Sequence, residues 1–229
     1  MSHDTSVSRT IRPVRIELAS CLLHGDLAVP ARASGLVVFA HGSGSSRFSP
    51  DNRFVADTLD RHDLATLLID LLSEDEEAQD ERTGRLRFDL NLLASRLVTI
   101  EAWAVGLPEL RPLRVGLLGA STGAAAALLA AAQQPHTFHA VVSRSGRPDL
   151  AGSALTRVMA PTLLIVGERD TPLVALNQRA MTQLRSEVQL EIVPGATHLF
   201  PEQGALEHVA ALARDWFVAE FASAAPGHT

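Results

Sequence analysis

The chain has few of the residues that mark secreted, membrane-spanning or nucleic-acid-binding proteins. Only one of its 229 residues is cysteine, so it can form no internal disulfide, and nothing else requires an oxidising compartment. Positive charge is outnumbered, since 20 basic residues, all of them arginine, face 26 acidic ones, and the formal net charge of −6 disfavours a nucleic-acid backbone as partner. No apolar run approaches the roughly 18 residues of a membrane span, and residues 1–9 lack the apolar core of a secretory signal. We therefore expect a cytoplasmic protein that binds neither membrane nor nucleic acid.

Aromatic residues are also scarce, at 4%, although hydrophobic residues make up 46% of the chain. This composition is typical of a layered fold whose core consists of alanine, leucine and valine. The length suits one medium domain with a full core. We predict a single domain over residues 11–225, preceded by a disordered lead over residues 1–10, and the sequence leaves the oligomeric state open. No histidine, cysteine and aspartate cluster has the spacing of metal ligands, so neither a metal nor an organic cofactor is predicted.

Short apolar runs alternate with longer amphipathic or alanine-rich segments along most of the chain. Predicted strands cover residues 14–18, 22–29, 35–40, 65–69, 114–118, 140–143, 161–167 and 188–194. Predicted helices cover residues 50–62, 86–105, 124–132, 175–184 and 204–221. The first two strands are expected to pair antiparallel at one edge. The alternation predicts an α/β fold with a mostly parallel central sheet, an antiparallel N-terminal edge and helices on both faces.

The most informative motif is Gly-Ala-Ser-Thr-Gly at residues 119–123. It follows a predicted buried strand and leads directly into an alanine- and leucine-rich run that strongly favours a helix. A strand, Gly-x-Ser-x-Gly and a helix in succession are the sequence form of a nucleophile elbow, where only small residues fit beside the serine. The helix N-terminus then directs N–H groups and its positive dipole end at a developing oxyanion. Ser121 is therefore the candidate nucleophile.

Two later predicted strands, both expected to be buried, lead to the residues that a serine nucleophile needs. Residues 161–167 lead to Asp170, and residues 188–194 lead to His198. A serine hydroxyl needs an imidazole to take its proton, and the imidazole needs a carboxylate to orient it. Because open α/β sheets carry their sites at the carboxyl ends of strands, we expect the three side chains to meet. Asp149 also follows a predicted strand and is the alternative acid, although Asp170 precedes a rigid Thr-Pro turn.

With these motifs and His-Gly-Ser-Gly at residues 41–44, the chain resembles the α/β-hydrolase superfamily over nearly its whole length. Within it, the chain is most similar to the small, cap-less branch around dienelactone hydrolase. The resemblance implies that Ser121 is the nucleophile, Asp170 the orienting acid and His198 the base. Dienelactone hydrolases carry a cysteine nucleophile, whereas this chain has a serine. The resemblance therefore implies acyl-transfer chemistry but does not imply a dienelactone substrate.

The resemblance also implies an oxyanion hole formed by the backbone N–H groups of Ser43 and Thr122. Gly44 is an alternative first donor, because His-Gly-Ser-Gly leaves the geometry of the loop open. We expect His41 to shape this loop by hydrogen bonding.

Arg144 and Arg147 follow the predicted strand at residues 140–143 and should lie at the same edge of the sheet as the triad. A guanidinium there would suit a substrate carboxylate or phosphate. The alternative, which we favour, is that they pair with Asp149 or with the acidic residues between residues 70 and 81 and shape the loop. The short distance from Arg144 to Pro161 leaves no room for a helical cap, so we expect an open site that accepts a short acyl group or a polar carboxylate ester.

The segment over residues 70–81 is unusual, because seven of its twelve residues are acidic. We expect this acidic segment to be a solvated excursion that does not pack, with a mobile flap over the site as the alternative.

These observations predict a serine hydrolase that acts on a small ester or lactone through an acyl-enzyme. The same triad on an amide, a peptide or a C–C bond is one alternative. A non-catalytic binding or regulatory protein on the same fold is another.

Overall fold

The centre of the molecule is an eight-stranded sheet with the strand order β1-β2-β4-β3-β5-β6-β7-β8. The computed structural model describes residues 11–223, so the predicted lead over residues 1–10 and the last two residues of the predicted domain lie outside the described residues. The strands are β1 (Ile11–Glu17), β2 (Leu22–Ala28), β3 (Gly35–Ala40), β4 (Leu64–Ile69), β5 (Arg114–Ala120), β6 (Ala140–Arg144), β7 (Thr162–Gly167) and β8 (Val188–Val193). The β1–β2 and β2–β4 pairs are antiparallel and the other five pairs are parallel.

Helices cover both faces of this sheet. They are α1 (Pro50–Asp60), α2 (Glu74–Thr83), α3 (Leu90–Gly106), α4 (Thr122–Gln133), α5 (Thr171–Met181) and α6 (Ala205–Ser223). Buried residues of α1 and α6 share one apolar cluster, and those of α3, α4 and α5 belong to the cluster on the other face. The predicted α/β fold with an antiparallel edge is therefore confirmed. Among the described residues, no helix is long and apolar enough to cross a bilayer; a cytoplasmic location stays a prediction.

The layers pack closely because the strands at the centre carry small residues where α6 crosses them. A Cβ atom at Gly35 would lie 2.0 Å from the ring of Phe221, and one at Gly116 would lie 2.6 Å from the ring of Phe217. The two rings stack on each other at a centroid distance of 5.6 Å. Every residue of β3 is buried, as expected for a central parallel strand with helices on both faces.

The prediction of a buried strand at residues 188–194 is wrong in its burial, although β8 forms there. β8 is the last strand of the sheet, and most of its residues are partly or fully exposed. Ile192, for example, is 38% exposed. An edge strand has a neighbour on one side only, and this position depends on strand order rather than on local sequence.

The prediction that the acidic segment does not pack is wrong for part of it: most of the segment forms α2, in which Glu74 and Asp75 are exposed as expected but Asp80 is buried. Ser73 caps the helix, and its hydroxyl and the Glu76 side chain form a reciprocal capping box. Glu76 also pairs with Arg96, which is buried, at 2.7 Å. Asp80 is buried and pairs with Arg87. Acidic residues can lie inside a protein when arginine compensates their charge, and composition alone does not show that pairing.

Candidate active site

The Gly-x-Ser-x-Gly motif forms a sharp turn between β5 and α4. Ser121 has a φ of +50° and a ψ of −119°, in a backbone region that costs a non-glycine residue about 1–3 kcal/mol. The turn is tight on both sides: a Cβ atom at Gly119 would lie 2.4 Å from Ala124 Cα, and one at Gly123 would lie 2.1 Å from the carbonyl oxygen of Ala40. Only glycine fits at these two positions, which is the physical basis of the motif.

The strained serine is held by backbone hydrogen bonds on both of its sides. Its N–H donates to the carbonyl oxygen of Arg144 at 3.1 Å. Its own carbonyl oxygen accepts from the N–H groups of Ala124 at 3.2 Å and of Arg147 at 3.1 Å. The end of β6 thus helps to hold the turn at the end of β5.

Asp170 and His198 meet at the carboxyl ends of β7 and β8. Nδ1 of His198 lies 2.7 Å from Oδ2 of Asp170, which leaves Nε2 as the nitrogen available for proton exchange. The alternative acid, Asp149, is held instead by Arg147, whose guanidinium donates two hydrogen bonds to it at 2.8 and 2.7 Å. The structure therefore pairs His198 with Asp170 and not with Asp149.

Two polar contacts that sequence reasoning missed hold the loop around His198. The Ser145 hydroxyl donates to the carbonyl oxygen of His198 at 2.6 Å, and Ser145 itself is buried, with a φ of +43°. On the other side, Thr197 donates through its hydroxyl, at 2.8 Å, and through its N–H to the carboxylate of Glu202. The hydroxyl bond holds the pKa of Glu202 below its ordinary value. The Ser145 contact joins segments 53 residues apart that only the fold brings together, whereas the Thr197–Glu202 contact lies within one loop that carries no recognised motif.

The predicted oxyanion donors lie side by side but are not equivalent. The N–H of Ser43 donates to the hydroxyl of Thr122 at 2.9 Å, which ties the loop after β3 to the start of α4. The N–H of Thr122 lies in the first turn of α4, where no helical carbonyl accepts it. Within residues 11–223, the N–H of Gly44 donates to no protein acceptor. The N–H of Gly44, the alternative first donor, is therefore unoccupied in this part of the chain, whereas that of Ser43 is bound to Thr122.

His41 supports this loop from beneath. Its Nδ1 lies 3.1 Å from the carbonyl oxygen of Gly42, and its Nε2 accepts the N–H of Leu71 at 3.4 Å. These partners suit the neutral ring with its proton on Nδ1, and burial lowers the pKa of His41. Beside it, Asp70 accepts the N–H of Arg47 at 2.7 Å and pairs with the guanidinium of the same residue. The expected shaping role of His41 agrees with this geometry.

The two arginines predicted near the site have protein partners. Arg147 holds Asp149, as the favoured alternative predicted. Arg144 is only 8% exposed and donates to Oδ1 of Asn52 on α1 at 3.1 Å. Arg144 therefore lies buried against α1, and its guanidinium is not exposed to solvent as a cation that binds a substrate anion would be.

A cavity of about 280 Å³ lies between the loop at residues 41–46 and helix α2. Its wall is completed by Leu71, Leu72, Glu77, Asp80, Glu81, Arg87 and Leu93. Sequence reasoning missed this cavity, because it depends on α2 packing beside the loop after β3. Gly42 connects the cavity to the nucleophile elbow, because it lines the cavity and a Cβ atom on it would lie 3.1 Å from Cβ of Ser121, although Ser121 itself does not line the cavity. Among the described residues, no group of His, Cys, Asp and Glu side chains could hold a metal ion.

Comparison with known proteins identifies a close structural relative. A dienelactone hydrolase from Anabaena variabilis superposes with a TM-score of 0.91 and 54% identity, over 93% of this chain and 98% of that one. An α/β serine hydrolase homologue from Coxiella burnetii, with 18% identity and a TM-score of 0.73 over 89% of this chain and 96% of that one, shares the fold.

The curated relatives are longer proteins. A protein of Mycobacterium tuberculosis, provisionally named a phosphoribosyl transferase, is 55% identical over 194 residues, which are 85% of this chain and 43% of the relative. The chain therefore spans less than half the length of the curated relatives it matches. The sequence profile of the dienelactone hydrolase family matches residues 28–221, most of the chain and all of the elements that carry the site. This match, together with the α/β-hydrolase fold and the dienelactone hydrolase relative, shows that the chain belongs to the dienelactone hydrolase family of hydrolases.

Proposed function

We propose that this chain is a serine hydrolase that cleaves a small ester or lactone through an acyl-enzyme on Ser121. Ser121 Oγ attacks the substrate carbonyl while Nε2 of His198 takes its proton. Asp170 holds the imidazole in the required tautomer and stabilises the imidazolium. The imidazolium then protonates the leaving alcohol, and water, activated by the same base, hydrolyses the acyl-enzyme.

The observation that carries this proposal is the 2.7 Å contact between Nδ1 of His198 and Oδ2 of Asp170 at the sheet edge that bears the serine elbow. An imidazole oriented in this way is the group that a serine hydroxyl lacks for nucleophilic attack. The negative charge that develops on the carbonyl oxygen is proposed to bind to the N–H groups of Thr122 and of Gly44 or Ser43. Loss of one such donor typically slows a reaction about 10²–10³-fold.

A small substrate is supported by the size of the space beside the elbow. The cavity of about 280 Å³ lies at the lower limit of small-molecule sites, which are roughly 300–1,000 Å³. The β6–β7 connection contains a 3-10 segment, Pro148–Arg157, rather than a helical cap, so long acyl chains have little surface to bury against. An ester or lactone also agrees with the family of hydrolases to which the chain belongs.

The phosphoribosyl transferase name of the M. tuberculosis relative is no evidence for transferase activity in this chain. The match covers 43% of that relative, so an activity of the whole protein can reside in the part that this chain does not match. Cleavage of an amide or a C–C bond would use the same triad, and assays with anilides and ketones separate these reactions from ester hydrolysis.

The direct test combines fluorophosphonate labelling, located by peptide mass spectrometry, with hydrolysis of p-nitrophenyl acetate. We expect a single adduct on Ser121, and its loss in the Ser121→Ala and His198→Ala variants. Asp170→Asn should lower kcat about 10³–10⁴-fold by favouring the wrong tautomer of His198, whereas the matched Asp149→Asn variant should retain activity within a few-fold. A folded protein that gives no adduct, or equal losses in the two aspartate variants, would overturn the proposal.

A further inference from the structure

We propose that the cavity between the loop at residues 41–46 and α2 is the acyl subsite of this hydrolase, and that its acidic wall selects neutral or cationic acyl groups over those that carry a carboxylate. The inference rests on the proposed function and names the substrate class for that site. It differs from the expectation of a polar carboxylate ester drawn from the sequence.

The position of the cavity determines which half of the ester it receives. The leaving oxygen must lie beside His198, which protonates it, and His198 follows β8 at one edge of the sheet. The cavity lies on the other side of the elbow, next to the loops that follow β3 and β4, and no residue of the His198 loop lines it. With the carbonyl held at Ser121, a leaving group directed toward β8 would place the acyl group on the side of the elbow where the cavity lies.

The wall of this cavity carries two carboxylates, those of Glu77 and Glu81, that pair with no cation in residues 11–223. Of its charged residues, Asp80 and Arg87 neutralise each other as a pair. Among the described residues, no cation lies within 4.0 Å of the carboxylate of Glu77 or Glu81. Arg47, which pairs with Asp70, lowers the pKa of Glu77, but Asp70 raises that pKa by more.

The electrostatic environment of Glu77 agrees with this excess of negative charge. Partial burial raises the pKa of Glu77, and Asp70, Glu74 and Glu81 raise it further. A carboxylate brought into the cavity would meet the same repulsion, whereas a quaternary ammonium or a neutral branched group would not.

Helix α2 is positioned firmly enough to act as a wall. The Glu76–Arg96 pair fastens its first turn to α3, and the Asp80–Arg87 pair fastens its last turn to the 3-10 helix at Leu86–Phe88. The apolar part of the wall, Leu71, Leu72 and Leu93, would contact the carbon atoms of the acyl chain. The subsite thus combines an apolar floor with an acidic side.

The experiment compares three p-nitrophenyl esters of similar size. The acyl groups are 4-(trimethylammonio)butyrate, the neutral isostere 5,5-dimethylhexanoate, and glutarate with its free carboxylate. Each kcat/KM is divided by the rate of hydroxide-catalysed hydrolysis of the same ester, which removes differences in intrinsic reactivity. The proteins are the unmodified chain, the double variant Glu77→Gln/Glu81→Gln, and the control Glu17→Gln/Asp75→Asn, which removes the same charge at exposed residues outside the cavity wall and outside the groups that raise the pKa of Glu77.

We expect the unmodified chain to favour the cationic and neutral esters over the glutarate ester. In Glu77→Gln/Glu81→Gln, kcat/KM for the glutarate ester should rise about three- to tenfold relative to the neutral ester, and the control should preserve the original ratio. An unchanged ratio in the cavity variant, or an equal change in the control, with the neutral ester still hydrolysed, overturns the acyl subsite alone. Failure to hydrolyse any of the three esters, together with no fluorophosphonate adduct on Ser121, overturns the proposed function as well.

Discussion

The nucleophile elbow and the His198 loop both lie at the carboxyl ends of the parallel strands, but they are held in different ways. The elbow follows a central, buried strand, and its shape is imposed by backbone atoms that leave no space for a side chain at Gly119 or Gly123. The His198 loop follows an edge strand that is half exposed, and it is held by hydrogen bonds from Ser145 and to Glu202. Steric restraint at the centre is independent of pH and solvent, whereas polar restraint at the edge depends on both.

This difference is suited to the two roles proposed for the residues. A nucleophile on a strained turn gains from a rigid backbone, since small displacements of a reacting atom are costly. A base that exchanges protons twice in each cycle needs a definite tautomer and access to solvent, which side-chain contacts at an exposed edge provide. Substitutions in the two regions should therefore fail in different ways.

The largest effect is expected at the elbow, from Gly123→Ala. The new methyl group would lie 2.1 Å from the carbonyl oxygen of Ala40, and backbone there cannot move aside easily. We expect a loss of about 3 kcal/mol in the free energy of unfolding, measured by urea denaturation, and loss of fluorophosphonate labelling. In the matched variant Gly106→Ala the methyl group meets nothing within 4 Å, so stability should change by less than about 1 kcal/mol. Equal stability of the two variants would contradict steric control of the elbow.

An intermediate effect is expected for Ser145, proposed as a positioning residue for His198. Ser145→Ala removes the hydroxyl that binds the His198 carbonyl oxygen, so kcat should fall about tenfold with KM unchanged. Ser145→Gly also removes the hydroxyl but relieves the strain of the positive φ. An equal fall in kcat in the two variants would therefore assign the effect to the lost hydrogen bond and not to backbone strain. Ser143→Ala is the control, because the Ser143 hydroxyl is buried and has no hydrogen-bond partner in the described part of the chain. A normal kcat in both Ser145 variants would show that the hydroxyl has no positioning role.

The smallest effect is expected from Glu202→Gln, and it should depend on pH. Because the pKa of Glu202 is lower in the folded chain than in the unfolded one, its contribution to stability is present above the unfolded value and is lost as pH falls through the folded value. The difference in Tm between the unmodified chain and the variant should therefore be greatest near pH 7 and shrink toward pH 3. The exposed Glu17→Gln change should show no such trend, and a pH-independent difference for Glu202→Gln would argue against the polar restraint.

Much of the candidate site could be predicted because its motifs are local. The elbow needs two glycines, a serine and a helix-forming run within a few residues, and the sequence shows all of them together. The acidic segment shows the opposite case, since its composition indicated solvent exposure while Arg96 and Arg87 compensate two of its carboxylates in the folded chain.

Other features of the structure depend on strand order and on contacts between distant segments, which local sequence patterns do not show. The alternation of strands and helices was enough to predict the fold, and the elbow motif and chain order were enough to propose Ser121 and His198, with Asp170 or Asp149 as the acid, because these expectations follow from periodicity and from the chemistry of each residue type. The tertiary structure alone decided that Asp170 rather than Asp149 contacts His198, that β8 is an exposed edge, and that α2 lies beside the loop after β3 to form an acidic cavity. These outcomes depend on contacts between segments far apart in the chain, and the free energy of such contacts is set by packing and charge compensation in the assembled fold.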